Sequence, residues 1–248
     1  MLDQVIQHEG LAWLKLLPDS SAAMIYIDPP FGHGTFDRLD RDWLRDLLEE
    51  SWRVVSGIVY LHADPQLLVE LKTRLPVRGI IVWRNGWISG YKSKTTRFWP
   101  RQYQLIVGYA RPIWRWRRVE RPKSPDYQRR GGSGTGFVVS DLWLDIEPVD
   151  QCSFSKEKVG YPTQKPLALL RRLIVGSTDL NDLVLDPTCG SGTTLIAALQ
   201  EGRLAAGADI SERAVELTRL RLSRFQLGIE AKIEGGAAEK VTTRALHY

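Results

Sequence analysis

Short apolar runs alternate with longer stretches of helical period along most of this chain. Met24–Ile27, Gly57–His62, Gly79–Trp83, Leu183–Leu185 and Leu204–Ala208 are largely apolar, too short for helices and suited to strands buried on both faces. Between them, Leu11–Leu17, Asp42–Val54, Pro65–Leu75, Pro166–Val175, Leu195–Leu199 and Ser211–Phe225 predict helices. Pro18 ends the first, and Ser211 caps the last with Glu212 in its first turn. Tyr103–Tyr109 predicts one more strand, antiparallel at the sheet edge. Strands alternating with helices predict an α/β fold with a mostly parallel sheet and helices on both faces.

From Arg111 to Pro148 regular periodicity fails, and Gly131–Gly136 reads as a flexible loop. The pattern predicts a single domain over residues 1–228, an insertion at about 84–148, and a tail over 229–248. With 248 residues, 43% hydrophobic and 25% charged, the chain can bury one full core. Cys152 and Cys189 are its two cysteines, so no disulfide framework is expected and a reducing cytoplasm is the default compartment. Four scattered histidines show no metal-ligand spacing, which predicts no metal. No apolar run approaches the roughly 20 residues that span a membrane, and none is expected as a partner.

Charge is unevenly placed. Residues 84–130 carry thirteen Lys/Arg against Glu120 and Asp126, a net of +11, whereas the whole chain is +5. The remainder is therefore acidic. Trp87, Trp99, Trp114 and Trp116 lie among these bases. Lys and Arg neutralise phosphates and exposed aromatic rings stack on unpaired bases, so this segment predicts a nucleic-acid surface. Lys92, Lys94, Arg97, Arg115, Arg117, Arg118, Arg129 and Arg130 are its candidate contacts.

Two motifs carry chemistry. Asp28-Pro29-Pro30-Phe31 follows the strand Met24–Ile27, and the prolines force the chain out of the ladder into a stiff turn. That turn presents a carboxylate, backbone carbonyls and an aromatic face, a set suited to a planar aromatic amine. Asp186-Pro187-Thr188-Cys189-Gly190-Ser191-Gly192-Thr193-Thr194 links a strand to a helix, as in the first half of a nucleotide-binding unit. About twenty residues on, the next strand ends in Asp209, where an acid can hold ribose hydroxyls. No Gly-Lys-Ser/Thr closes the loop, so it is not a polyphosphate site. An acid and no base suits a cationic cofactor such as S-adenosylmethionine.

These motifs, with Tyr161-Pro162-Thr163-Gln164-Lys165-Pro166 and Gly207-Ala208-Asp209-Ile210, resemble those of the β-group DNA amino-methyltransferases. The likeness covers roughly residues 4–226, and the order, catalytic motif first and cofactor loop last, is that group's circularly permuted one. It implies a Rossmann-like methyltransferase sheet, S-adenosylmethionine as cofactor and double-stranded DNA as partner. Asp28, Pro29, Pro30 and Phe31 would be catalytic: the Asp28 carboxylate and Pro29 carbonyl accept the amine N–H bonds, and Phe31 stacks on a base flipped out of the duplex. Glu9, Thr163, Gln164, Lys165, Pro166, Asp186, Thr188, Cys189, Gly190, Ser191, Gly192, Thr193, Thr194, Asp209 and Ile210 would hold the cofactor. Lys165 would pair with the methionine carboxylate, or else be a solvated lysine at a helix start.

The chain departs from the family pattern in places. Thr188 stands where Phe is usual, His8-Glu9 where Gly-Asp is common, and Arg101-Gln102 where His-Glu often precedes the edge strand. In the family, Asp at the first motif position accompanies adenine N6 more often than cytosine N4, so adenine is expected and cytosine is the alternative. RNA as substrate, a different class of methyl acceptor, and a non-catalytic DNA-binding protein stay open as further readings. Dimers are frequent in the family; a homodimer and a cognate restriction endonuclease stay open as partners. A bacterial, archaeal or phage protein acting on DNA in the cytoplasm is the expected setting.

Overall fold

The structure is a computed structural model that describes residues 4–29, 40–85, 101–122, 136–149, 156–226 and 228. Its centre is an eight-stranded sheet. In chain order the strands are β1 (Val5–Gln7), β2 (Ala22–Ile27), β3 (Val55–Ala63), β4 (Val77–Arg84), β5 (Tyr103–Ala110), β8 (Leu142–Trp143), β9 (Leu183–Asp186) and β10 (Leu204–Asp209). Across the sheet they run β1-β10-β9-β2-β3-β5-β4-β8. Two short strands, β6 (Glu120–Pro122) and β7 (Gly136–Val138), form a separate antiparallel ribbon.

Side chains alternate across a strand, so a strand covered on both faces must be apolar at every position. In β2, Met24 and Tyr26 enter one core cluster while Ile25 and Ile27 enter the other; in β3, Ile58 and Tyr60 divide from Val59 and Leu61 in the same way. The helices are α1 (Gly10–Leu14), α2 (Arg41–Val54), α3 (Pro65–Leu71), α4 (Leu167–Ser177), α5 (Thr193–Gln200) and α6 (Glu212–Gln226). Leu169, Leu170 and Leu173 of α4 and Leu195 and Ile196 of α5 fill the first face. Leu14 of α1, Leu44, Leu47 and Leu48 of α2, and Leu67 of α3 fill the second.

One expectation needs correction. The antiparallel strand is not at the edge: β5 lies between β3 and β4 and pairs with both. Ile106 and Val107 are buried on opposite faces, as an interior strand requires. Because β5 and β8 belong to the main sheet, the stretch at 84–148 contributes to the core. Trp83 and Trp143 are buried there, and the Trp83 indole N–H donates to the Ile146 carbonyl at 2.9 Å. Predicted helix starts lie within one or two residues of the observed ones, whereas α1 and α3 end earlier than their patterns suggest. Among the described residues no helix is long and apolar enough to cross a membrane, and no His, Cys, Asp and Glu side chains group as a metal site.

Candidate active site

Chain direction across the sheet reverses between β9 and β2. From β9 the chain crosses through α5 on one face to β10; from β2 it crosses through α2 on the other face to β3. The carboxyl ends of such a strand pair open a crevice, the usual ligand position in an open α/β sheet. Asp186 ends β9 and Asp28 follows β2, so the two acids flank that crevice.

Asp28 continues the alternation of Met24 and Tyr26, which directs it to the face covered by α4. Its Oδ2 accepts from Lys165 Nζ at 2.6 Å, just before α4. Its Oδ1 is buried and has no hydrogen-bond partner among the described residues. A buried carboxylate oxygen without a donor is costly, and native proteins keep such groups where a ligand completes them. The Asp28 backbone N–H donates to Thr188 Oγ1 at 3.1 Å. The same hydroxyl lies 3.4 Å from Asp186 Oδ1, which also accepts the Thr188 N–H at 3.0 Å. Thr188 thus bridges the two motifs.

The loop after β9 is held from beneath. Gly190 and Gly192 have φ of +50° and +75°, in the left-handed region that glycine enters without a steric penalty. A Cβ on Gly192 would lie 2.4 Å from Thr218 Cγ2, and one on Gly190 would lie 3.1 Å from the Tyr161 ring. Arg221 of α6, a buried guanidinium, donates through Nη1 to the Ser191 carbonyl at 2.7 Å and to Thr193 Oγ1 at 3.2 Å. Asp209 accepts the Gly190 N–H at 2.8 Å and the Ser211 N–H at 2.9 Å, tying the end of β10 to the loop. Cys189 is buried, and that burial raises its thiol well above the ordinary range. Ile210 leaves its side chain 74% exposed beside Asp209.

Burial pushes the Asp186 carboxyl up to about 7; hydrogen bonds from Thr194 and Thr188 act against this, while the charges of Asp28 and Asp209 add to it. Three acids converging on one crevice form a site that favours a cation. Glu9 caps α1: its carboxylate accepts the Leu11 and Ala12 N–H groups and the Trp43 indole N–H at 2.7–2.9 Å. Burial acts to raise its carboxyl, but those three bonds outweigh it and hold it below the ordinary value. Gln164 turns its amide to the neighbouring turn, accepting from Val159 N–H and donating to the Glu157 carbonyl. Pro166 stands at the N-cap of α4, where Glu157 accepts the Leu167 N–H.

A polar chain lies beneath the crevice, and of its members only His62 falls in a stretch, Tyr60–Pro65, that itself resembles a subgroup of the family. His62, fully buried on β3, lies 2.7 Å from both Tyr26 Oη and Gln104 Oε1. With Gln104 presenting its oxygen, the neutral ring carries its proton on Nε2, and Nδ1 accepts from Tyr26. Burial first and the Lys165 charge second depress the imidazole to about 3, against the pull of Asp28 and Gln104, so it stays neutral at physiological pH. Their positions on three neighbouring strands, Tyr26 on β2, His62 on β3 and Gln104 on β5, are what bring these groups together.

The family model for N6/N4 DNA methylases matches residues 22–220, most of the chain and both motifs of this crevice. The chain belongs to that DNA methylase family. Among relatives, the type II methyltransferase M2.MboI of Moraxella bovis is 45% identical over 248 residues, covering 88% of this chain and 86% of its own. The DNA adenine methyltransferase YhdJ of Escherichia coli K12 is 27% identical, covering 88% and 82%. Among solved structures, a DNA modification methylase of Thermus thermophilus, TTHA0409, complexed with S-adenosyl-L-methionine, superposes with a TM-score of 0.62 at 19% identity, covering 95% of this chain and 99% of that one. The cytosine-N4-specific PvuII DNA methyltransferase gives 0.64 at 14% identity, covering 92% and 91%. At these identities the structural likeness speaks for the methylase fold alone.

Of the residues expected to serve this methylase, Pro30, Phe31, Lys92, Lys94, Arg97, Arg129 and Arg130 lie outside the described residues. Pro29 is buried beside Asp28. Arg115, Arg117 and Arg118 are described, each with a partner in the protein's own chain. The Arg117 N–H donates to the Gly176 carbonyl at the far end of α4, and its guanidinium grips both carboxylate oxygens of Asp179. With α4 about 16 Å long, this places Arg117 near the opposite end of the sheet from Lys165 and Asp28. Arg115 lies two residues away and gives its carbonyl to Arg117; Arg118 pairs with Glu120 at 2.8 Å. Trp114 packs against the core and donates to the Ser177 carbonyl, whereas Trp116 is half exposed.

Proposed function

We propose that this methylase transfers a methyl group from S-adenosylmethionine to the exocyclic N6 of an adenine flipped out of double-stranded DNA. The buried Oδ1 of Asp28, without a donor among the described residues and across the switch-point crevice from Asp186, carries the reading. Family membership supports DNA as the substrate. Asp at the first motif position, with a relative named as an adenine methyltransferase, supports adenine.

The residues fit the cofactor. Asp186, Asp209 and Asp28 make the crevice acidic, the glycine loop lets backbone approach a ligand, and Ile210 offers an exposed apolar surface beside Asp209. When bound, S-adenosylmethionine supplies an electrophilic methyl on a cationic sulfur. The protein's own task is alignment of the amine and stabilisation of the charge it acquires. An exocyclic amine is a weak nucleophile because its lone pair is delocalised into the ring. Asp28 Oδ1 and the Pro29 carbonyl accept its two N–H bonds and turn the lone pair toward the methyl. Asp186, Asp209 and the glycine loop would hold the cofactor, which would supply the methyl to the nitrogen and depart as a neutral thioether. The nitrogen then carries the positive charge, and its extra proton passes to Asp28.

Single-base methylation mapping of DNA from cells expressing the protein, beside Asp28→Ala, tests this. N6-methyladenine in one recurring motif, absent with the variant, is expected. N4-methylcytosine instead would keep the acceptor geometry and overturn the choice of base. DNA binding without any mark would overturn the enzyme reading.

A further inference from the structure

We infer that Lys165 is a positioning residue for the Asp28 carboxylate, a role that rests on the methyl-transfer reading above. The resemblance implied a cofactor ligand, whereas the structure puts the ammonium 2.6 Å from Asp28 Oδ2. The lysine side chain is 8% exposed, so it is not a solvated charge at a helix start. Its place just ahead of α4 makes this informative. A helix N-terminus carries partial positive charge, so a buried ammonium there is disfavoured unless an anion compensates it. Asp28 is that anion. The Thr163 carbonyl, 3.4 Å from Nζ, helps direct the ammonium, and Thr163 itself has φ +58°. A β-branched residue persists in that strained region only when its surroundings hold it there.

A carboxylate free to rotate presents either oxygen, or both, to a ligand. Here Lys165 engages Oδ2, and the Asp28 N–H is fixed on Thr188, so Oδ1 is the oxygen left to meet an amine. The ammonium also offsets the charge of a carboxylate that shares the crevice with Asp186, among the neutral groups Tyr26, His62 and Tyr161. Lys165 thus acts through Asp28 without touching the base.

The test uses the full chain with Lys165→Met, Lys165→Arg, Asp28→Asn, and the double variant Asp28→Asn/Lys165→Met. Binding of S-adenosylmethionine and of DNA is titrated separately from the turnover rate at saturation. For Lys165→Met, both dissociation constants stay within about threefold while turnover falls about 100-fold, the size seen when one preorganised polar contact is removed. Lys165→Arg keeps the cation and stays within about tenfold of the unaltered rate. The double variant is no slower than Asp28→Asn alone, since the amide has already lost the ion pair. A tenfold loss of cofactor affinity with turnover preserved makes Lys165 a cofactor ligand and overturns the inference, as does an additive loss in the double variant. If the methionine variant does not fold, Lys165→Gln, which removes the charge and keeps a polar side chain, decides by the same split between affinity and turnover. No transfer by the unaltered protein overturns the methyl-transfer reading, and this inference with it. Normal transfer with a neutral Lys165→Met overturns this inference alone.

Discussion

Burial leaves Asp186 in an unfavourable starting state for holding the cation proposed above. Its carboxyl is raised to about 7 by burial, above the 3.8 of an unfolded chain. The stability this group contributes is therefore fully present below pH 3.8 and is lost as pH rises through about 7. Asp186→Asn, neutral at every pH, removes that loss: its melting temperature should exceed that of the unaltered apoprotein at pH 8, by less at pH 5, and not below pH 3.8. A cationic cofactor prefers the ionised acid, so its affinity should climb from pH 5.5 to 7, below the range where an amino acid's own amine titrates. Titration calorimetry in two buffers of different ionisation enthalpy would show proton release at pH 6. A flat affinity across that window would sink the assignment. Thr188 joins the two acidic motifs. The sequence marks it as a departure from Phe, but only the fold reveals that its hydroxyl serves the Asp28 N–H and faces Asp186. Thr188→Val strands a partly buried N–H and should cost about 1–3 kcal/mol in denaturant unfolding, whereas Thr188→Ser keeps the bridge and most of the stability.

Element by element, what periodicity can carry was readable and what depends on spatial order was not. The apolar runs located β2, β3, β9 and β10 because burial on both faces leaves few polar positions to disguise them, and β4 was found from its run although it is largely exposed. Strand order has no such mark: β5 reads as an edge strand until Ile106 and Val107 are seen buried on opposite faces. β1 is three residues long and carries no period at all. The turn at Asp28-Pro29 and the glycine loop were legible because proline and glycine act on the local backbone. Arg221 was not, because in sequence it is one more basic residue on α6, and its burial under Ser191 and Thr193 depends on how α6 packs. That packing gives a sharp test. In Gly192→Ala the new methyl would sit 2.4 Å from Thr218 Cγ2, at a backbone with φ +75°. Strain and overpacking together should destabilise the protein by roughly 2 kcal/mol or more and weaken cofactor binding. An alanine variant as stable as the unaltered chain would show that α5 and α6 are not locked as described.

For the whole molecule, the formal charge of the segment 84–130 overstates the field it offers to DNA. Arg84 pairs with Glu147, Arg101 with Asp64, Arg117 with Asp179 and Arg118 with Glu120, so four of its cations already face anions of the same chain. Arg111 lies over the Trp52 ring and donates to the Trp52 and Val55 carbonyls, an internal role as well. If DNA is held electrostatically by this segment, the phosphate contacts fall to the other eight bases, Lys92, Lys94, Arg97, Arg115, Arg121, Lys123, Arg129 and Arg130. The salt dependence of binding counts such contacts, because each phosphate neutralised adds about 0.9 to the slope of log affinity against log salt. Lys92→Gln/Lys94→Gln should therefore lower the slope by about 2 and weaken binding to every sequence alike. Arg117→Gln breaks a pair at the far end of the sheet and should change the slope by less than about 0.3, a fraction of one phosphate contact. Filter binding over a range of salt concentrations measures both. A slope that falls with Arg117→Gln and holds with the lysine pair would move the DNA to the amino ends of the strands, away from Asp28, and the flipped-base reading of the crevice would fail with it.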